Sequence, residues 1–166
     1  TTTIRSQIAF TKLVDDIRNK SLMWQYAERM ITHVLEGYSI GQITCQVDLK
    51  GLYLYADPIL EKVIFTLIEN SIRHGENVTR IAFSYRIDDG DCIFVYEDDG
   101  SGIPDDEKEK IFRQGYGKHT GLGLFLIREI LAINAMTISE TGAWGSGARF
   151  EIRVPAGKWM VKEGTS

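Results

Sequence analysis

The sequence predicts an α+β fold: one mixed sheet with helices on one face, forming two layers. Three observations predict it. Apolar residues recur at helical spacing in four segments, at 3–18, between Ser21 and Gly37, at 58–74 and at 121–135. Short β-type runs fall at 43–49, 52–55, 79–87, 92–97, 136–141 and 147–154. Helices and antiparallel strands are partly segregated along the chain, which is the α+β pattern rather than a parallel βαβ array.

The elements follow in order. Ile4, Ile8, Leu13 and Ile17 sit at helical spacing with Arg, Lys and Asp between them, an amphipathic helix or the tail of one. Asn19-Lys20-Ser21 breaks it, and Ser21 is placed to cap a second helix. That helix carries a stripe of Met23, Tyr26, Ala27, Met30, Ile31 and Val34, and Gly37 stops it. The texture changes near residue 38. Ile43-Thr44-Cys45-Gln46-Val47-Asp48-Leu49 alternates as a strand does, Lys50-Gly51 turns, and Leu52-Tyr53-Leu54-Tyr55 is a second short strand. Asp57-Pro58 opens a helix, with Asp as cap and Pro where a missing N–H costs nothing; Gly75 ends it. Asp88-Asp89-Gly90-Asp91 between two β runs is a strong hairpin signal. A charged, glycine-containing loop spans 98–120, and the chain after Pro155 is expected to fray.

Composition narrows the function. The chain has 166 residues, 43% hydrophobic and 25% charged, which is one domain's worth and too apolar for a disordered chain. A net charge of −4 gives no support for a nucleic-acid partner, which calls for a basic face. Cys45 and Cys92 are far apart with no CxxC, so neither a disulfide framework nor a cysteine zinc site is expected, and a reducing, cytoplasmic setting fits. No apolar run reaches the roughly 20 residues that span a bilayer. The chain starts without Met and in mid-pattern, as a piece of a longer protein would.

Four segments carry chemistry. On the helix over 58–74, Leu60, Val63, Ile64, Leu67, Ile68 and Ser71 cluster on one side. Thr66, Glu69, Asn70 and Arg73 form an opposite stripe at i, i+3, i+4 and i+7. A solvated face is the ordinary meaning of such a stripe. However, Asn is a poor mid-helix residue, and an acid, a carboxamide and a guanidinium on adjacent turns suit a metal and a phosphate. Next, Asp98-Asp99-Gly100-Ser101-Gly102-Ile103 follows an apolar β run, and its glycines let a ligand approach the backbone; an acidic turn is the plain alternative, and calcium-loop spacing is absent. Third, Gly115-Tyr116-Gly117-Lys118-His119-Thr120-Gly121-Leu122-Gly123-Leu124 leads into a helix whose first N–H groups attract phosphate. It is neither a Walker loop nor a dinucleotide fingerprint, and a flexible connection is its plain reading. Last, Gly142 to Ala148 reads as a glycine-rich hairpin.

Taken together, these segments resemble the ATP-binding catalytic domain of sensor histidine kinases, in the superfamily that includes DNA gyrase B, Hsp90 and MutL, with its Bergerat-type two-layer α/β sandwich. Glu69-Asn70-Ser71-Ile72-Arg73-His74 resembles the N box and Asp98 to Ile103 the first glycine box. Lys110-Ile111-Phe112 resembles the F box, Thr120 to Leu124 the second glycine box and Gly145-Ser146-Gly147 the third. The resemblance covers about 43–155, the catalytic domain. Residues 1–18 are similar to the end of a dimerisation helix, 19–42 would be a connecting helix and linker, and 156–166 a tail.

The resemblance implies ATP and Mg²⁺ as cofactors. Asp98 would accept from the adenine amino group. Guanine presents an oxygen there, so ATP should exceed GTP by roughly tenfold to a hundredfold or more, given about 1–3 kcal/mol for an unpaired buried polar group. Asn70 would ligate Mg²⁺, Arg73 would pair with a phosphate with His74 beside the nucleotide, and Glu69 would serve as base or polariser. Gly100, Gly102 and Ile103 would line the base pocket. Tyr116, Gly117, Lys118, His119 and Thr120 would belong to a mobile lid over 105–120 that closes over the triphosphate, and Gly121, Leu122, Gly123 and Leu124, at the helix start, would hold the phosphates. Implied partners are a dimerisation and phosphoacceptor domain, a response-regulator receiver domain, and a second copy in a homodimeric parent that is itself soluble or membrane-anchored.

Two departures stand out. Thr66 occupies the place of a usual first Asn of the N box, and Ala148 lacks a hydroxyl often found in the third glycine box. None of His33, His74 and His119 is followed by the Glu/Asp-x-x-Asn/Thr pattern of a phosphoacceptor. Two rivals remain: a superfamily ATPase or anti-sigma-type serine kinase, and a non-catalytic interaction module on the same fold.

Overall fold

The computed structural model describes Ile8, Thr11, Lys12, Asp15, residues 22–116 and residues 122–164. Its strands are β1 (Met23–Tyr26), β2 (Thr44–Val47), β3 (Leu52–Ala56), β4 (Arg80–Asp88), β5 (Asp91–Asp98), β6 (Thr137–Glu140), β7 (Arg149–Val154) and β8 (Trp159–Val161). Its helices are α1 (Ala27–Glu36), α2 (Leu60–His74) and α3 (Leu122–Ile133), with a short 3-10 turn at Lys110–Phe112. Of the first expected helix, Ile8, Thr11, Lys12 and Asp15 are helical; the rest of it and the Ser21 cap lie outside the described residues.

The five-stranded sheet has the order β2-β4-β5-β7-β6, with β2 and β4 parallel and every other pair antiparallel. Its centre is the hairpin β4–β5, closed by Asp89 and Gly90, both at positive φ, between the paired Asp88 and Asp91. A two-residue loop of this kind matches the twist of the strands it joins. One sheet face supplies Ile81, Phe83, Cys92, Phe94, Tyr96, Phe150, Ile152 and Val154 to the core, against the buried stripes of α1, α2 and α3. On the opposite face Arg86 pairs with Glu151 at 2.7 Å, and Arg149 reaches Glu151 and Glu97, both at 3.4 Å. These side chains roof over Ile93 and Val95, so that face needs no helix layer.

Three expectations are corrected. Residues 23–26 are a strand rather than the first turn of a helix. Trp24 opposes Tyr55 and Tyr26 opposes Tyr53, with ring centroids 5.1 and 5.0 Å apart. Cross-strand aromatic pairs of this kind override helical spacing. The tail does not fray: Trp159–Val161 pairs antiparallel with β3, and Trp159 Nε1 donates to the Gly90 carbonyl at 3.1 Å. Strands β1, β3 and β8 therefore make a second, three-stranded sheet, where a single sheet was expected. The Lys50-Gly51 turn is present, but the strands it joins part company into the two sheets.

Gly51 holds this junction. Its φ is +76°, and a Cβ there would lie 2.4 Å from the Lys162 carbonyl oxygen. Gly51→Ala should lower the free energy of unfolding by at least about 1–3 kcal/mol, the typical cost of a strained backbone site, as measured by urea denaturation. A change within error would refute the β3–β8 register.

Candidate nucleotide site

Helix α2 starts at Leu60, two residues later than the expected start at Pro58, with Asp57 anchoring the turn that leads into it. Asp57 Oδ1 accepts from Ile59 N–H at 2.9 Å, and the Asp57 carbonyl accepts from Leu60 N–H at 3.0 Å. Leu60, Val63, Ile64, Leu67, Ile68 and Ser71 are buried, so the opposite stripe faces outward. On it, Glu69 and Asn70 are half-buried and Arg73 and His74 are exposed. Arg73 Nη2 lies 3.2 Å from Glu69 Oε1. Thr66 donates its hydroxyl proton to the Lys62 carbonyl at 2.7 Å, so only its acceptor lone pairs remain for a ligand.

Asp98, at the end of β5, is buried at 8% exposure. Its Oδ1 accepts from Gly100 N–H at 3.0 Å and from Ala148 N–H at 2.9 Å. Its Oδ2 accepts from the Ser71 hydroxyl at 2.5 Å. Ser71 directly follows Asn70, so the turn of α2 bearing Glu69 and Asn70 lies one residue from a bond to this carboxylate.

Glycines make these approaches sterically feasible. A Cβ on Gly100 would sit 2.0 Å from the Gly75 carbonyl oxygen, which also accepts from Ser101 N–H at 2.7 Å. A Cβ on Gly147, whose φ is +103°, would sit 2.0 Å from the Asp98 carbonyl oxygen. Gly102, at φ +78°, packs against the 143–147 loop, and Gly145 N–H donates to the Ser101 carbonyl at 2.8 Å. The end of α2, the Asp98 turn and the 142–148 loop thus close on one another. On the far side of the helix stripe, a Cβ on Gly123 would lie 3.5 Å from the Thr66 methyl, bringing the start of α3 alongside.

Ile103 and Leu124 are half-buried and pack on the core. Tyr116 is half-buried, and burial followed by the Glu107 carboxylate raises its phenol above the ordinary value. The expectations for Gly117, Lys118, His119, Thr120, Gly121 and the Leu122 side chain lie outside the described residues. His33 is exposed, with its Nδ1 2.9 Å from both oxygens of Glu61.

Three groups escaped the sequence reading. Glu140 has a fully buried carboxylate, 2.5 Å from Lys108 Nζ. Glu140 Oε1 also accepts from Gly142 N–H at 2.6 Å, and Lys108 Nζ donates to the Gly142 carbonyl at 2.6 Å. This knot fastens the start of the 105–116 segment to the root of the 142–148 loop. Its only sequence signal is a lone acid ending a β run. Asp99 accepts from the Thr79 hydroxyl and from the Thr79 and Arg80 amides at 2.8 and 3.0 Å, tying the Asp98 turn to β4.

A model of the family described as histidine kinase-, DNA gyrase B-, and HSP90-like ATPase matches residues 56–158. The alginate biosynthesis sensor protein KinB of Pseudomonas aeruginosa is 34% identical over 101 residues, 58% of this chain and 17% of that protein. The chain thus spans a small part of that relative's length. Among solved structures, full-length ShkA in complex with AMPPNP superposes with a TM-score of 0.77 at 20% identity, over 97% of this chain and 36% of that one. The mycobacterial sensor histidine kinase MprB gives 0.71 at 19% identity, over 81% and 97%. At these identities the structures show a shared fold.

Lys108→Met should cost about 3–5 kcal/mol, because it strands a buried carboxylate; chemical denaturation measures it, and a loss below about 1 kcal/mol would contradict the knot. Asp99 gives a pH prediction. The Thr79 hydroxyl, then the Arg80 and Thr79 amides, hold its carboxyl down to about 2. A folded-state value below the unfolded one contributes stability above about pH 4 that is lost as pH falls through about 2. Asp99→Asn should therefore flatten the acid limb between those values in a series of urea midpoints. Parallel curves for variant and wild type would refute the assignment.

Proposed function

The chain belongs to the histidine kinase-, DNA gyrase B-, and HSP90-like ATPase family, and we propose that it is the ATP-binding catalytic part of a two-component sensor histidine kinase. It takes Mg²⁺-ATP and passes the γ-phosphoryl group to a histidine of a dimerisation domain, from which a response-regulator receiver domain draws it. The observation that carries this reading is the Asp98 carboxylate. It is buried, held by two backbone amides and a hydroxyl, and has an acceptor direction left on Oδ2.

In this reading Oδ2 of Asp98 accepts from the adenine amino group, and Gly100 and Gly102 shape the turn beside it by lying on the Gly75 carbonyl and on the 143–147 loop. The triphosphate runs toward α3, whose start lies beside Thr66. Among the described residues no cluster of three or more His, Cys, Asp or Glu side chains could hold a metal. A cation here would therefore depend on phosphate oxygens, with Asn70 as its protein contact, which suits the coordination habits of Mg²⁺. When bound, the ion would neutralise charge on the transferring phosphoryl group. Arg73 exchanges Glu69 for a phosphate oxygen. That exchange frees the Glu69 carboxylate to accept the proton of the incoming imidazole. Residues 1–18 continue, in this reading, from the dimerisation helix, and the working parent is a homodimer.

Titration calorimetry with Mg²⁺ and a non-hydrolysable ATP analogue tests the reading. Saturable binding is expected, with GTP analogues weaker by roughly tenfold to a hundredfold and with Asp98→Asn binding at least about tenfold weaker, from the cost of an unmatched buried polar group. Radiolabelled ATP should leave little label on the chain itself, because none of its three histidines sits in an acceptor pattern. Absence of binding at millimolar nucleotide would favour a non-catalytic module instead.

A further inference from the structure

Behind Asp98 stands a second hydroxyl. Ser71 Oγ, which donates to Asp98 Oδ2 at 2.5 Å, also lies 2.7 Å from the Tyr96 phenol oxygen. Tyr96 is 0% exposed and Ser71 2%. The proton count fixes the direction of this chain. Ser71 has one hydroxyl proton, and that proton goes to Asp98 Oδ2. The Tyr96 phenol must then donate to Ser71. Burial pushes that phenol far above its ordinary value, so it stays protonated and keeps donating.

The same count shows what the chain does for Asp98. A carboxylate offers about four acceptor directions. Gly100 and Ala148 take two on Oδ1, and Ser71 takes one on Oδ2. Which direction remains on Oδ2 depends on where Ser71 Oγ is held, and Tyr96 is the group that holds it. Ser71 belongs to α2, whereas Tyr96 and Asp98 share β5, two residues apart and facing the same side. The hydroxyl chain is therefore a side-chain tie between the helix that bears Glu69 and Asn70 and the carboxylate at the strand end, beside the backbone contact at Gly75.

We propose that Tyr96 and Ser71 form a hydroxyl relay that sets purine selectivity, by aiming the remaining acceptor direction of Asp98 at the 6-amino group of the base. The inference rests on the reading of Asp98 as the adenine acceptor. Tyr96 and Ser71 are positioning residues: they act through Asp98, and a hydroxyl donating to a hydroxyl strengthens the second bond.

The test compares two ligands, ATP and purine riboside triphosphate, which carries hydrogen in place of the 6-amino group. Both are titrated with Mg²⁺ into the wild-type chain, Tyr96→Phe, Ser71→Ala and the double variant. The readout is the ratio of the two affinities, in which any general loss of stability cancels. Tyr96→Phe keeps the ring and should lower the ATP-to-purine ratio about three- to tenfold, the worth of one hydrogen bond. Ser71→Ala should lower it at least as far, and adding Tyr96→Phe to Ser71→Ala should change it no further. The relay is overturned if both single variants leave the ratio at its wild-type value, or if their effects simply add. A wild-type chain with no preference for ATP would instead bring down the reading of Asp98, and the relay with it.

Discussion

A carboxylate taken out of water costs several kcal/mol unless its lone pairs find donors. At Asp98 those donors come from three separate parts of the chain: Ser71 on α2, Gly100 in the following turn, and Ala148 at the end of the 142–148 loop. The group can stay buried only if all three are brought to within hydrogen-bond distance. That requirement explains the glycines around it. Gly100 lets the turn lie on the Gly75 carbonyl, and Gly147 lets the loop lie on the Asp98 backbone, where a methyl group would collide with oxygen at 2.0 Å in each case. The site is thus a consequence of satisfying one buried carboxyl group.

A second buried carboxyl group extends the same logic to the sheet edge. Glu140 ends the outermost strand, β6, and joins Lys108 to the backbone of Gly142. The loop that serves Asp98 at its far end is therefore clamped at its root, and the segment after Pro104 is clamped with it. Each knot uses backbone amides for part of its satisfaction, so each constrains main-chain position as well as side-chain position. The small sheet β1-β3-β8 stands apart from both. Its buried residues Leu52, Leu54 and Ala56 feed the core beside α1, while its tyrosines are half-buried on the other face.

Much of this was legible in the residues. The α2 stripe, the Asp57 turn, the Asp89-Gly90 hairpin and the pairing of β6 with β7 follow from local periodicity and turn chemistry, which leave their mark within a few residues. The boxes of the resemblance place Asn70, Asp98, Gly100 and Gly147 on elements that do converge. What escaped was non-local. Strand β1 shares its apolar spacing with a helix start, and only the distant partner Tyr53–Ala56 decides between them. Strand β8 is three residues long and is defined by β3 alone. Lys108 and Glu140 are separated by 32 residues, and nothing near either marks it as buried. Ser71 was read as one more residue of the apolar side; its proton matters because Tyr96 and Asp98 reach it from another element.

The most direct test of the central claim, that Asp98 and the Asn70 turn share one nucleotide cleft, is a titration of the isotopically labelled chain with Mg²⁺-AMPPNP followed by amide NMR. The account predicts that the Asn70 side-chain amide and the backbone amides of Gly100, Gly102 and Ala148 shift together along one saturation curve. Shifts confined to the β1-β3-β8 sheet, or separate curves for Asn70 and for the Asp98 turn, would contradict it.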